Sequence, residues 1–338
     1  MFMKNDINIP IIKNYAPVII PTLYRYEHLK NCLESLEKCT HADKTDVIIG
    51  LDYPNKETHW EGYNRIDNYL KELELKNKFN NLIVIRRERN YGIGPNGNLI
   101  NLIKETLRYY DTYILSEDDN IFSPAFLDYC NKGLEKFIDD KTVTAICGYR
   151  YFYEYKFKKN TFFRNHADYS AWGYASWKDR YNDWQKLNSS WFRKFLTIKN
   201  FIKLYYKAGN NKVNFWFHIC DRPSEEIQNH DHAIRVYIGL TDHCSIMPRF
   251  SLVRNKGTEG SGVNFQNFNK ELIEKFNNQN VYNNTTYEFI GTGEEKRYYN
   301  MWINKKECYE EKTTNFIMTV RYFIRRLIFK KFKKFNCE

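Results

Sequence analysis

The chain has 338 residues, a length that suits one large domain or two intimate ones. Hydrophobic residues make up 42%, enough for a sizeable core, and the formal net charge is +11. Much of that charge is gathered between Arg321 and Lys334, so the surface is not evenly basic and a general nucleic-acid binder is disfavoured.

The eight cysteines stand at positions 32, 39, 130, 147, 220, 244, 308 and 337, with no Cys-x-x-Cys pair and no zinc-like spacing. Several fall in apolar patterns, as buried free thiols do, so a reducing cytoplasm is the expected compartment. The N-terminal residues lack the apolar core of a signal peptide, and no run reaches the length of a membrane span. The 27 Tyr and 24 Phe are read chiefly as the compositional bias of an AT-rich coding sequence.

In chain order, Pro17 to Ile20 is predicted to be a buried strand, ended by Pro21 and Thr22. Tyr26 to Cys39 reads as a helix with Leu29, Cys32, Leu33 and Leu36 on one face. Asp46 to Leu51 is a second strand with Asp52 at its end, Tyr63 to Lys76 a helix, and Leu82 to Ile85 a third strand. A glycine-rich turn from Arg89 to Gly97, holding Asn90, Gly92 and Gly94, leads into a helix from Asn98 to Tyr110. Such glycines let backbone N–H groups approach a ligand. The turn is not a Walker loop, and Pro95 spoils a dinucleotide fingerprint, so on its own it is better read as a plain loop.

The fourth strand ends at Leu115 and is followed by Ser116, Glu117, Asp118, Asp119 and Asn120. A helix from Ser123 to Phe137 and a strand from Val143 to Cys147 come next. Alternating strands and helices indicate βαβ units, hence an α/β fold with a mainly parallel sheet. Right-handed crossovers gather the strand ends along one edge. Thr22, Asp52, the glycine turn and Glu117 to Asp119 would all lie there, where open sheets of this kind bind ligands. Adjacent carboxylates repel, and Mg²⁺ or Mn²⁺ would relieve that repulsion while bridging to phosphates. An isolated acidic turn would cap the next helix instead. The convergence of several strand ends favours a nucleotide-phosphate site.

Beyond Arg150 the character changes. Asp168 to Arg180 is dense in aromatic and small residues, and Trp172-Gly173 suggests backbone packed under an indole, either against a sugar ring or within the core. Asn188 to Glu226 reads as helical and basic, an excursion or a second helical layer. Asp231, between His230 and His232, opens a helical or extended pattern running to Gly239. Pro248 to Val253 is predicted to be a strand, followed by a loop to Gly262 that carries Arg254, Lys256 and Ser261. That loop either closes over an anionic group or is plain surface. Phe316 to Phe335 reads as a basic amphipathic helix. Ile317, Val320, Ile324, Leu327 and Ile328 share a face edged by Arg321, Arg325, Arg326, Lys330, Lys333 and Lys334. Such a helix suits an anionic membrane surface, the alternative being a terminal helix docked on its own domain.

Taken together, these segments resemble the GT-A glycosyltransferases, close to the bacterial family 2 sugar transferases. Four places carry the resemblance: Pro21-Thr22 with Arg25; Ser116 to Asn120 with Ser123, Pro124 and Phe126; Trp172 to Arg180; and Ser251 to Gly257 with Gly260 to Gly262. They span roughly residues 15 to 265 in the family's order. The resemblance implies a Rossmann-like GT-A domain, with residues 1–150 forming its nucleotide-sugar half and 151–270 its acceptor half. Residues 271–338 would form a helical extension.

It further implies that Glu117, Asp118 and Asp119 are this chain's form of the DXD motif. Asp119 would hold Mn²⁺ or Mg²⁺, and Glu117 and Asp118 would hold ribose or sugar groups. Asp52 would face the base and Thr22 the nucleotide. Asp231 would be the catalytic base, although relatives often carry Trp where this chain has His230, so Asp168, Asp179 and Asp242 stay open as alternatives. Pro21, Arg25, Asn90, Gly92, Trp172, Gly173, Arg254, Lys256 and Ser261 would line the donor site. The implied reaction is inverting transfer from a nucleoside diphosphate sugar, UDP favoured, to a saccharide acceptor. A lipid-linked acceptor in bacterial surface polysaccharide synthesis, such as capsule or lipopolysaccharide, would fit a protein peripheral on the inner membrane face. Two other classes compete. A sugar-phosphate nucleotidyltransferase would need a Gly-rich basic loop after the first strand, which Pro21 to Arg25 does not supply. A nucleic-acid binder would not explain clustered carboxylates.

Overall fold

A computed structural model describes residues 15–94, 96–151, 159–223, 231–257, 274, 278–294 and 316–329. Ten strands and nine α-helices are named here among the described residues. The strands are β1 (Val18–Thr22), β2 (Asp46–Leu51), β3 (Asn81–Arg86), β4 (Thr112–Leu115), β5 (Asn120–Phe122), β6 (Val143–Cys147), β7 (Phe162–Asn165), β8 (Tyr174–Trp177), β9 (Cys244–Pro248) and β10 (Val253–Asn255). The helices are α1 (Tyr26–Leu36), α2 (Trp60–Leu75), α3 (Asn98–Thr106), α4 (Phe126–Lys136), α5 (Lys178–Trp184), α6 (Ser189–Lys194), α7 (Ile198–Asp221), α8 (Asp231–Leu240) and α9 (Phe316–Phe329).

Eight strands form one sheet in the order β3-β2-β1-β4-β8-β6-β9-β7. β8 runs antiparallel to both β4 and β6, and β7 antiparallel to β9; the other six strands point one way. Strands from before and after residue 150 interleave, so the two expected halves share one sheet. The period-2 geometry of a strand sorts side chains onto the two faces. Val18 and Ile20 of β1, with Val47 and Ile49 of β2, enter a core closed by α1, α2 and α4. Ile19 and Ile48 enter the opposite core, closed by α3, α5, α7 and α8. Covering both faces is what makes these strands read as continuous apolar runs.

Apart from the short β5, which the sequence reading did not place, the elements up to β6 lie where the sequence puts them, within a few residues. The strand expected from Pro248 to Val253 is two strands. β9 stops at Pro248, which has no N–H to extend a ladder. The chain then turns, with the Ser251 hydroxyl donating to the Val253 carbonyl and the Leu252 amide to the Gly148 carbonyl. β10 pairs antiparallel with β5, Asn255 opposite Asn120.

The basic stretch after residue 188 is a helical layer. Gly209, at φ +82, breaks α7 and folds it back. The rings of Phe201 and Phe217 consequently stack at 6.4 Å, whereas a straight helix would separate them by about 24 Å. α9 docks on this folded helix. Phe323 is buried and stacks on Phe201 at 4.6 Å, the Thr319 hydroxyl donates to Asn214 at 3.2 Å, and Arg326 pairs with Asp221. Val320 and Leu327 pack against the same core. Two members of the apolar stripe expected to lie on a membrane are therefore partly buried against the protein's own core. Ile324 alone of the described stripe is exposed. The side chains of Ile317, Arg325 and Ile328, and residues 330 to 335, lie outside the described residues. Among the described residues no helix is long and apolar enough to cross a membrane.

Candidate active site

The parallel strands bring Thr22, Asp52 and the acidic cluster to their shared carboxyl-end edge. β4 ends at Leu115, and Glu117, Asp118 and Asp119 follow as a turn into β5. Asp118 and Asp119 are both buried. Their four carboxylate oxygens are filled from three directions. The Thr22 hydroxyl donates to Asp118 Oδ2 at 2.9 Å. Asn255 Nδ2 donates to Asp119 Oδ1 at 2.6 Å. The guanidinium of Arg25 forks across the pair, donating to Asp119 Oδ2 at 2.8 Å and to Asp118 Oδ1.

The segment after β10 closes on the cluster from above. The Lys256 amide donates to the Asp119 carbonyl at 2.8 Å, and the Gly257 amide to Asn255 Oδ1 at 2.9 Å. Gly257 is required by space: a Cβ there would stand 2.3 Å from Asp119 Oδ2. The glycine backbone therefore packs directly beside that oxygen. Asn255 Nδ2 also lies 3.3 Å from Glu117. Sequence reasoning placed Asn255 only in a loop; its register opposite Asn120 is what aims it at the carboxylates.

Electrostatics follow from burial. Glu117 is pushed well above the usual carboxylate range, first by desolvation and then by Asp119, Asp231 and Asp118, with Arg25 opposing. Asp118 is also raised by desolvation, against the pull of Arg25.

Asp231 is the first residue of α8. That helix ends next to the start of β9, at the amino-end edge of the sheet, so its first residue lies toward the carboxyl-end edge. Its effect on Glu117 accords with that position. Desolvation raises the Asp231 carboxyl, with Arg235 and Lys212 pulling it down.

The alternatives sit differently. Asp179 follows Trp177, which pairs with the first residue of β4, and it is held by Lys141 and Arg180 at the opposite edge. Asp242 precedes β9 at that same edge and pairs with Lys203. Asp168 is a buried ion-pair partner of Lys212 and Arg235, each at 3.4 Å.

Asp52 is committed to the glycine turn. It accepts from the Tyr91 amide at 2.8 Å and the Gly92 amide at 2.9 Å. Asn90 Nδ2 donates to the Tyr53 carbonyl at 2.6 Å, so Asp52, Asn90 and Gly92 form one unit. Pro21 lies in β1 opposite Gly50. Trp172 is half-buried and meets Tyr149 edge to face at 4.6 Å. Gly173 packs against Val253 and Phe126, so its closeness serves the core under β10. Arg254 donates to the Gln279 carbonyl, and Lys256 is exposed beside the cluster. Ser261 lies outside the described residues.

No known protein family and no curated protein matches the chain. Among solved structures it is similar to S. aureus TarS 1-349, at 18% identity over 50% of this chain and 48% of that one, with a TM-score of 0.34. It is also similar to the mannosyltransferase PcManGT from Pyrobaculum calidifontis in complex with GDP-Man and Mn²⁺, at 18% identity over 44% and 40%, TM-score 0.28. A third is the bifunctional glycosyltransferase WbbM, at 12% identity over 42% and 24%, TM-score 0.26. The matched region spans less than half of each of these chains.

Among the described residues no group of three or more His, Cys, Asp or Glu forms a metal cage. Mg²⁺ and Mn²⁺ do not need one when a substrate's phosphates complete the shell around one or two carboxylates. Asp118 and Asp119, hard carboxylate donors side by side at the strand ends, fit that kind of ligand.

Proposed function

We propose that this chain is a metal-dependent, inverting glycosyltransferase that takes a sugar from a nucleoside diphosphate sugar, UDP-sugar favoured, to a saccharide acceptor. The observation that carries the reading is Asp118 and Asp119 braced at the carboxyl ends of parallel strands by Thr22, Arg25 and Asn255, with Asp231 opening α8 toward the same edge. Mn²⁺ or Mg²⁺ on Asp119 would supply positive charge for the departing diphosphate. Lys256 and Arg254, which flank Asn255 in sequence, would add cationic charge for the diphosphate. Asp52 and the Asn90–Gly92 turn provide a rigid wall for the base, and Trp172 an apolar edge for the sugar.

Asp231 accepts the proton of the acceptor hydroxyl as its oxygen bonds to the anomeric carbon. The bond from that carbon to the diphosphate breaks with its electron pair, and the diphosphate leaves. Attack from the side opposite the leaving group inverts the centre. A raised carboxyl pKa at Asp231 makes it a stronger base once ionised.

A lipid-linked acceptor and attachment to an anionic membrane surface belong to the same proposal. They are supported by Arg321, Tyr322 and Ile324, which stand exposed on α9. Co-sedimentation with anionic vesicles tests the attachment.

The test of the activity is hydrolysis and transfer from a panel of nucleotide sugars with Mn²⁺, comparing the wild type with Asp119→Asn. Loss of most turnover in a variant that keeps its thermal midpoint supports the proposal. Near-normal Mn²⁺-dependent turnover in Asp119→Asn sinks it.

A further inference from the structure

We infer that Arg25 is a built-in counter-ion that must leave Asp119 before a divalent cation is taken there, so that cation and nucleoside diphosphate bind as a coupled pair. The inference rests on the glycosyltransferase reading for the identity of the diphosphate.

The two carboxylates adjoin in sequence and are buried, and a cation beside them offsets their mutual repulsion. Arg25 supplies it. Its side chain is 18% exposed against 7% and 6% for Asp118 and Asp119, so the ion pairs stand largely out of water. The outer oxygens are held by neutral donors, Thr22 and Asn255. The inner two are held by the guanidinium. Asp119 Oδ2, the oxygen beside Gly257, is one of the two that Arg25 occupies. A cation arriving there meets the positive charge of Arg25, held by both carboxylates.

A diphosphate changes that. Arg25 directly precedes α1, and its side chain is the most exposed of the three. Its planar fork matches phosphate oxygens as well as it matches carboxylates. A nucleoside diphosphate at the strand ends offers Arg25 a replacement partner, and Asp119 is released for a cation that the same phosphates help to hold. Linkage makes this reciprocal: whatever factor the nucleotide adds to cation affinity, the cation adds to nucleotide affinity.

The experiment measures Mn²⁺ binding, by titration calorimetry and by the paramagnetic resonance signal of free Mn²⁺, with and without UDP. In the wild type, UDP is expected to tighten Mn²⁺ binding by about tenfold or more. Arg25→Met keeps the length and removes the charge. It should bind Mn²⁺ alone about tenfold tighter than the wild type, and UDP should add little further. Arg25→Lys, which keeps the charge but not the fork, should bind Mn²⁺ alone as weakly as the wild type. It decides the matter if Arg25→Met does not fold without metal.

Equal Mn²⁺ affinity of wild type and Arg25→Met in the absence of UDP overturns the inference while leaving the glycosyltransferase reading intact. So does an Arg25→Lys chain that binds Mn²⁺ alone about tenfold tighter than the wild type. Failure of the wild type to bind Mn²⁺ even with UDP, GDP or another nucleoside diphosphate present overturns both.

Discussion

Replacing Gly257 by Ala isolates the geometry of Asp119 from its chemistry. Gly257 is not among the residues with positive φ, so alanine meets no backbone objection. The added Cβ would stand 2.3 Å from Asp119 Oδ2, 3.1 Å from its Cγ and 3.2 Å from Asn255 Oδ1. Ordinary contact begins near 3.4 Å, so the carboxylate or the loop must give by about 1 Å. Asp119 cannot retreat easily, because Arg25 and Asn255 hold its two oxygens. Overpacking of this kind costs about 1–3 kcal/mol of stability. A displacement near 1 Å at a reacting centre costs on the order of 10²-fold in rate, or about 2.7 kcal/mol of transition-state stabilisation.

The expected result is a folded protein with a modestly lowered thermal midpoint, a turnover reduced about 10²-fold, and weaker Mn²⁺ binding in the presence of UDP. Initial rates at saturating donor, a Mn²⁺ titration and a thermal melt measure the three. Wild-type turnover and Mn²⁺ affinity in Gly257→Ala would refute the claim that a Cβ here displaces Asp119.

Asp231→Asn should still bind the nucleotide sugar and lose transfer by about 10²-fold or more, while Asp242→Asn stays near wild type; transfer lost only in Asp168→Asn or Asp242→Asn would reassign the base. On the acid limb, activity of the wild type should rise with an inflection above the ordinary aspartate value of 3.8, since Asp231 must be ionised and its carboxyl is raised. Phe323→Ala should cost about 3 kcal/mol in urea unfolding, because its ring is buried between Phe201 and Phe217; an unchanged midpoint would show that α9 is not docked. Native thiol titration should leave Cys32, Cys39, Cys130, Cys147, Cys220 and Cys244 unreacted, as all six are buried, and burial pushes Cys39 and Cys147 up to about 12. Rapid labelling of any of the six in folded protein would contradict that burial.

The first half of the molecule was legible because its signals are local. The apolar runs Val18 to Ile20 and Val47 to Leu51 can only be strands covered on both faces, and the residues between them carry helical spacing. The Pro248 to Val253 run misled for the same reason. An apolar stretch does not say which neighbour each residue pairs with, and β9 and β10 pair into different sheets. The stripe on α9 is equally ambiguous by itself, since an apolar face suits a bilayer or an aromatic helix alike.

The sequence by itself determined the α/β alternation and the position of Glu117, Asp118 and Asp119 at a strand end, because hydrophobic periodicity and a run of carboxylates are short-range facts. Only the tertiary structure decided what meets them. Asn255 reaches Asp119 across 136 residues, and Arg25 across 94. Asp52 turns both oxygens to amides 39 and 40 residues away. Such pairings are set by strand register and by which donors can satisfy a buried charge, and neither is written in any local pattern. Burying two adjacent carboxylates is costly unless every oxygen finds a donor. That requirement draws Thr22, Arg25 and Asn255 from three distant segments onto one edge of the sheet.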